Sequence, residues 1–566
     1  MQAVICCLNS KYIHASLAPW CLKAGVDKYC NNINCSVVES TINREISYPL
    51  EEILKLNPKV IGLCTYIWNV DKTLELAKAL KEKLSDSIIV LGGPEVSYRA
   101  KNVLSEYPFV DIVVSGEGEK PFAALCNAIK TGKGLSGING VSYKEDNKPV
   151  IAEPNIEKDE PPTPYSDAFL ENLNGRICYI ESSRGCPFSC AFCLSGRCGG
   201  VRFFDIEKTK RDIVLLSKSG TKTVKFVDRT FNANLARAKE IWRFIIENHG
   251  KEIQKGVCFH FEIAGDILDD EAINLLSTAP KGLIQLEIGM QSFNPKTLEA
   301  INRKTDVEKL KNNIQKLVAL RNMHIHIDLI AGLPYEDLES FRESFNIAYG
   351  LKADMLQLGF LKLLYGAPMR DNPEKYPCEF SKKSPYTVTK TPWLTESEVK
   401  SLQNMEDAFD RVYGSGRFEF TLKYLMEKVG VNPFDFFFEM GNKMVVKENI
   451  SLNDYVGVLY NYLLEKSVAS KEVLRDLLAV DKLIAEKNGK LPEILKVKDN
   501  NLKAAKTFVR ERLGATAAAT IIYTNEVAEL VGKQSAPAVL GVDYSKKDNV
   551  TARYNYRIYK LDDIIC

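Results

Sequence analysis

The chain has 566 residues, 45% of them hydrophobic, with 75 basic against 73 acidic side chains and a formal net charge of +2. That length exceeds one ordinary domain and fits three or four. The balanced charge gives no support to general nucleic-acid binding, no apolar run approaches a membrane span, and the start lacks a basic leader, so the expected address is the cytoplasm.

Residues 1–135 alternate short apolar runs with helical spacing. Residues 2–8, 36–39, 60–66, 88–92 and 110–115 read as strands, and 17–29, 50–56, 70–84 and 119–129 as helices. A βαβα pattern predicts a parallel, doubly wound sheet, which binds ligands in the loops at the carboxyl ends of its strands. Two such loops are glycine-rich, Gly92-Gly93-Pro94-Glu95 and Ser115-Gly116-Glu117-Gly118-Glu119, and glycine lets backbone approach a flat or phosphate-bearing ligand closely. His14, in the loop after the first strand, reads as a surface or capping histidine that is also within reach of such a ligand.

Residues 136–172 lose periodicity. Pro154, Pro161, Pro162 and Pro164 fall in an acidic run that reads as an interdomain linker. A strand over 177–181 then leads into Cys186, Cys190 and Cys193, spaced CxxxCxxC on one turn-rich loop. Three thiolates so close together can grip one iron-sulfur cluster and leave one iron open, where an electron-transfer cluster usually has four cysteine ligands. Zinc is the competing reading, with Cys198 as fourth ligand. Fifteen cysteines, an odd number without a secretory signal, argue against disulfides.

Five further β-then-α units start near Val224, Cys258, Ile284, Ile325 and Met355, so residues 173–385 read as a six-unit partial barrel. Polar residues at the carboxyl ends of barrel strands are expected to be functional. Asp228, Glu262, Glu287 with Gln291, and the run Asp328 to Pro334 containing Gly332 occupy such ends. Residues 386–566 read as a mostly helical extension, with helices over 396–413, 418–429, 452–467, 471–479 and 502–513 and a half-buried strand over 551–560. Thr395 and Glu398 have the spacing of a capping box, and the seven Lys and Arg from Lys490 to Arg512 read as a solvated helix face.

The CxxxCxxC loop, with Pro187 and Phe192, closely resembles the signature of the radical S-adenosylmethionine enzymes. The glycine-rich doubly wound domain upstream makes the whole similar to their cobalamin-binding class, over about residues 1–385. The extension resembles the uncharacterised C-terminal region of one subgroup. The resemblance implies a 4Fe-4S cluster on Cys186, Cys190 and Cys193, with S-adenosylmethionine on its open iron. It further implies that Asp228 receives the amino group, Glu262 faces ribose or substrate, and Glu287 and Gln291 touch cofactor or substrate. Arg303 pairs with the carboxylate or is a plain surface arginine, and Gly332 lies beside adenine. Cobalamin would be surrounded by Gly92, Gly93, Gly116, Glu117 and Gly118, with Thr65 to Trp68 from a neighbouring strand end. The Asp-x-His-x-x-Gly cobalamin motif is absent, so histidine is not the expected lower ligand of cobalt, and a domain that keeps the fold without cobalamin stays open. The implied reaction is radical C-methylation or a related rearrangement of a small molecule or peptide, fed by a flavodoxin- or ferredoxin-type reductant. Beyond residue 198 only Cys258, Cys378 and Cys566 remain, too few for an auxiliary cluster, which makes the methylthiotransferases a poor match.

Overall fold

The computed structural model describes residues 1–444, 449–532, 534–548 and 550–565, with the side chain of Cys198 outside the described set. Five runs, β1 (Gln2–Asn9), β2 (Asn34–Thr41), β3 (Val60–Cys64), β4 (Ile88–Gly92) and β5 (Ile112–Val114), form a parallel sheet in the order β2-β1-β3-β4-β5. The continuous apolar character of β1, β3 and β5 is what a parallel sheet covered on both faces requires. Helices Ala18–Tyr29 and Glu119–Thr131 bury one face through Val26 and Phe122. Ser47–Leu56, Val70–Lys83 and Ala100–Glu106 bury the other through Ile53, Leu76 and Val103.

The stretch 136–172 is more than a linker. β6 (Val141–Glu145) and β7 (Lys148–Val150) form a hairpin that extends the sheet antiparallel beyond β5. Its two-residue turn places Asp146 and Asn147 at φ 47° and 62°, the left-handed pair that suits the twist of a hairpin. Strands this short and half exposed carry too little alternation to be read from sequence. Further on, the backbone of Asn155 bonds to both Ser115 and Glu117, closing the second glycine-rich loop from outside.

The second unit begins with β8 (Ile177–Ile180), then an antiparallel pair, β9 (Ser183–Cys186) and β10 (Gly200–Phe203), around the cysteine loop. β11 (Thr223–Phe226), β12 (Cys258–Ile263), β13 (Ile284–Gln291), β14 (His324–Ala331) and β15 (Met355–Phe360) follow, giving a six-stranded parallel sheet in chain order from β8 to β15. Along β13, Ile284, Leu286, Ile288 and Met290 are buried in the apolar core, whereas Gln285, Glu287, Gly289 and Gln291 alternate onto the half-open lumen side.

Both edges of this partial barrel are covered, which removes unpaired strand edges. At β8, Ile177 donates its N–H to Ile13 at 2.7 Å and accepts from Ala15 at 3.3 Å, so the loop after β1 docks on the barrel. Past β15, Tyr413 donates its hydroxyl to the Ala353 carbonyl at 2.5 Å. A small pair, β16 (Glu379–Phe380) and β17 (Val388–Lys390), follows the barrel.

The extension packs on the barrel's outer surface. Helices Glu396–Phe409, which carries the expected capping box, and Pro433–Lys443 set Phe409, Phe434 and Phe437 around Phe345 of the barrel helix Leu338–Gly350. The expected single strand is one of three: β18 (Ala518–Ile522), β19 (Ala538–Lys547) and β20 (Tyr554–Lys560) make an antiparallel sheet. The alanines of β18 favour helix intrinsically, and pairing with β19 and packing against helices Lys471–Ala485 and Asn501–Leu513 make them strand. Among the described residues no helix is long and apolar enough to cross a membrane.

Candidate active site

The cysteine loop is held from beneath by Asp228. Its carboxylate is 1% exposed and accepts from the Ser182 N–H at 2.9 Å, the Ser182 hydroxyl at 2.7 Å and the Ser183 hydroxyl at 2.5 Å. Burial lifts this carboxyl to about 6 against the opposing pull of the two serines. Asp228 thus faces Ser182 and Ser183 and holds the turn between β8 and β9.

Cys186, Cys190 and Cys193 carry free thiols. Cys186 Sγ lies 3.3 Å from Thr230 Oγ1, Cys193 Sγ accepts the Ser195 N–H at 3.4 Å, and Arg303 approaches Cys190 Sγ at 3.9 Å. Burial raises the Cys190 thiol, and the Arg303 guanidinium pulls it back down. Arg303 also donates to the Gly289 carbonyl. It therefore stands against the cysteine loop and the end of β13. Ala191 donates to Ile301 at 2.8 Å and accepts from Met369 at 3.0 Å, tying the loop to two barrel segments. Gln291 has φ 73° at a β-bulge between β13 and β14, and its amide lies over Gly289, where a side chain would collide with it. A left-handed non-glycine residue at a bulge re-aims a strand end. Arg303, Gly289, Gln291 and Cys190 thus gather at one place.

Glu262 and Glu287 meet deeper in the lumen, where Lys225 lies 3.2 Å and 3.1 Å from them. His260 Nε2 is 2.9 Å from Glu287 Oε2, and His326 Nε2 is 3.0 Å from Asp328 Oδ1. Burial would push Glu287 up, but the His260 contact and the Lys225 charge outweigh it and hold the carboxyl at about 2. Lys225, His260, His324 and His326 are residues that motif reading passed over. The signal was there, since His324, Ile325, His326, Ile327 and Asp328 alternate polar with apolar along a predicted strand.

The glycine-rich loops pack closely against the chain around them. Thr65 is fully buried and donates its hydroxyl to the Gly92 carbonyl at 2.6 Å, and a side chain on Gly93, at φ 115°, would collide with Thr65. Gly116, at φ 82°, gives way to Asn155, and a side chain on Gly118 would meet Leu22. Gly332, at φ 88°, makes room for Val388. Glu117 is an ion-pair partner of two arginines. Arg184 and Arg202 each reach its Oε2 at 2.6 Å and hold its carboxyl below the ordinary range despite burial.

Large exposed rings stand at the carboxyl ends of β1 and β3. Tyr12 is 72% exposed, and Trp68, 45% exposed, stacks on Tyr66 at 4.4 Å and donates to the Leu8 carbonyl at 3.4 Å. His14 instead meets the barrel, with Nδ1 2.7 Å from the Tyr179 hydroxyl.

Comparison with known proteins agrees with this division. Residues 4–126 match the B12 binding domain, residues 180–348 the radical SAM superfamily, and residues 374–549 a family described as a protein of unknown function (DUF4080). The cobalamin-dependent radical SAM methyltransferase TokK of Streptomyces tokunonensis is 28% identical over 349 residues, covering 58% of this chain and 50% of TokK. The 2-(S-pantetheinyl)-carbapenam-3-carboxylate methyltransferase of Streptantibioticus cattleyicolor is 28% identical over 317 residues, covering 51% and 44%. The chain therefore spans about half the length of these relatives. OxsB, a cobalamin-dependent S-adenosylmethionine radical enzyme solved with aqua-cobalamin and S-adenosylmethionine, superposes with TM-score 0.57 at 16% identity, covering 86% of this chain and 79% of OxsB. The methyltransferase TsrM from Kitasatospora setae gives 0.54 at 19%, covering 65% and 74%. At these identities the two structures establish a shared fold.

Proposed function

We propose that this chain, which carries a B12-binding domain and a radical SAM domain in tandem, is a cobalamin-dependent radical S-adenosylmethionine enzyme acting by C-methylation or a related rearrangement on a small-molecule or peptide substrate. The observation that carries the reading is the docking of the cysteine-loop strand against the doubly wound domain. Three free cysteines lie on one barrel loop, and Arg184, two residues before Cys186, pairs directly with Glu117 and Glu119 in a strand-end loop of the doubly wound domain.

The residues present fit the groups this reading requires. Three thiols with polar donors beside each suit thiolate ligands, and the exposed Tyr12 and Trp68 rings suit a broad flat ligand. When bound, the cluster with S-adenosylmethionine supplies an electron and a radical source, and cobalamin a methyl carrier. Cys186, Cys190 and Cys193 would hold the cluster. Asp228 fixes the entry to their loop, Arg303 lends positive charge at Cys190, and Gln291 presents its amide at the same strand end. The charged residues of the lumen, Lys225, Glu262 and Glu287, orient polar groups on a molecule that enters it. Electrons come from a flavodoxin- or ferredoxin-type partner, and the setting is the cytoplasm.

Metal analysis after anaerobic expression with cobalamin tests this directly. The expected result is about four irons and about one cobalt per chain, with the iron lost from Cys190→Ala. Zinc in place of iron overturns the whole reading. Iron without cobalt overturns its cobalamin half.

A further inference from the structure

We propose that Glu287, His326 and Asp328 form a divalent-cation site in the barrel lumen, separate from the cysteine loop. One ligand atom from each of the three lies within 4.8 Å of the others. They occupy adjacent positions on neighbouring strands, Glu287 opposite His326 and Gly289 opposite Asp328. His326 is 7% exposed, with Nε2 at 3.0 Å from Asp328 Oδ1 and Nδ1 at 3.9 Å from Glu287 Oε2. These two atoms face each other without hydrogen-bond alignment and neither has another hydrogen-bond partner, although both are buried. Two close but unaligned donor atoms of this kind are each completed by a cation between them, and buried polar atoms are otherwise rarely left unpaired.

Charge points the same way. Glu262, Glu287 and Asp328 carry three negative charges against the one positive charge of Lys225, so carboxylates outnumber the fixed cation here. Lys225 and His260 both approach Glu287 through Oε2, which leaves Oε1 as a further donor. His260 stands where an outer hydrogen-bond partner orients a ligating carboxylate. Imidazole and carboxylate without thiolate select borderline to hard ions such as Mn²⁺, Fe²⁺ or Zn²⁺ over soft ones. Glu287 and Asp328 keep 23% and 21% of their side chains exposed, so coordination positions remain open to the lumen.

Mn²⁺ is the probe, because it favours these ligands over the cysteine thiolates. Equilibrium binding to the full chain, followed by loss of the free Mn²⁺ EPR signal, is expected to saturate at about one ion per chain. His326→Asn and Asp328→Asn should each weaken it at least about tenfold. The Cys186→Ala/Cys190→Ala/Cys193→Ala variant should bind as before, which separates this site from the cluster reading. Absence of saturable binding, or equal binding by the folded variants, overturns the proposal. Should a variant fail to fold, the bound Mn²⁺ of the unsubstituted protein decides: nitrogen modulation from imidazole in its pulsed EPR supports the site, and its lack overturns it.

Discussion

Two buried carboxylates define what single residues do around the site. Asp228 spends its hydrogen bonds on Ser182 and Ser183, so Asp228→Asn keeps an oxygen for the Ser182 N–H but loses the charge and offers the two serine hydroxyls a donor in place of an acceptor. Loss of bonds to a buried charged group costs about 1–3 kcal/mol, and urea denaturation should register that loss together with reduced iron loading. Unchanged stability and iron would remove Asp228 from its positioning role. Glu336 is fully buried and accepts from Ser292 at 2.5 Å and Ser344 at 3.2 Å, while its other oxygen has no partner. Burial lifts its carboxyl from 4.5 to about 8. Its folded pKa lies above the unfolded one, so its contribution is full below about 4.5 and is lost as pH rises towards about 8. Glu336→Gln keeps an acceptor for both serines and cannot ionise. Thermal melts across this range should show the variant gaining on the parent protein as pH rises, and parallel curves would contradict the assignment.

At the scale of elements, glycines place loops where side chains would forbid them. Gly116 combines φ 82° with a backbone crossing by Asn155, so Gly116→Ala meets both a left-handed penalty and a collision. Strain of this type costs on the order of 1–3 kcal/mol, and the variant should unfold at correspondingly lower denaturant while Gly132→Ala, with nothing near its side-chain position, loses less. The β-α alternation of both sheets was legible because long buried strands are continuous apolar runs or strict alternations. Ile88–Gly92 lies where the sequence put it, and the helix at Glu119 begins at the predicted residue. What escaped reading depends on partners distant in sequence. The hairpin of β6 and β7 is short and polar, and β18 is alanine-rich until neighbours make it a strand. At the site, the type and strand-end position of Asp228 and Glu117 were legible. The direction of their carboxylates was not, because Ser182 and Arg202 become neighbours only in the folded chain.

Across the whole molecule, the doubly wound unit and the barrel are joined by charge as well as by the loop on β8. Arg184 binds Glu117 at 2.6 Å, Glu119 at 2.5 Å and Glu181 at 2.8 Å, and Arg176 binds Glu39 at 2.8 Å. The side chains of Arg184 and Glu119 are 16% and 6% exposed, so solvent screens the pair little. Arg184→Met keeps apolar bulk and strands Glu119. Glu117 retains Arg202, whereas Glu119 pairs with no second arginine among the described residues. Removing one partner of a buried pair costs about 3–5 kcal/mol, because the remaining charge is left uncompensated. Adding Glu119→Gln neutralises that charge, so the double variant should be more stable than Arg184→Met alone, a non-additivity that a double-mutant cycle in urea measures. If Arg184 couples the two units, proteolysis within residues 153–167 should quicken in Arg184→Met and slow again in the double variant. Additive stabilities with unchanged cleavage would mean that the loop on β8, not this charge cluster, holds the units together.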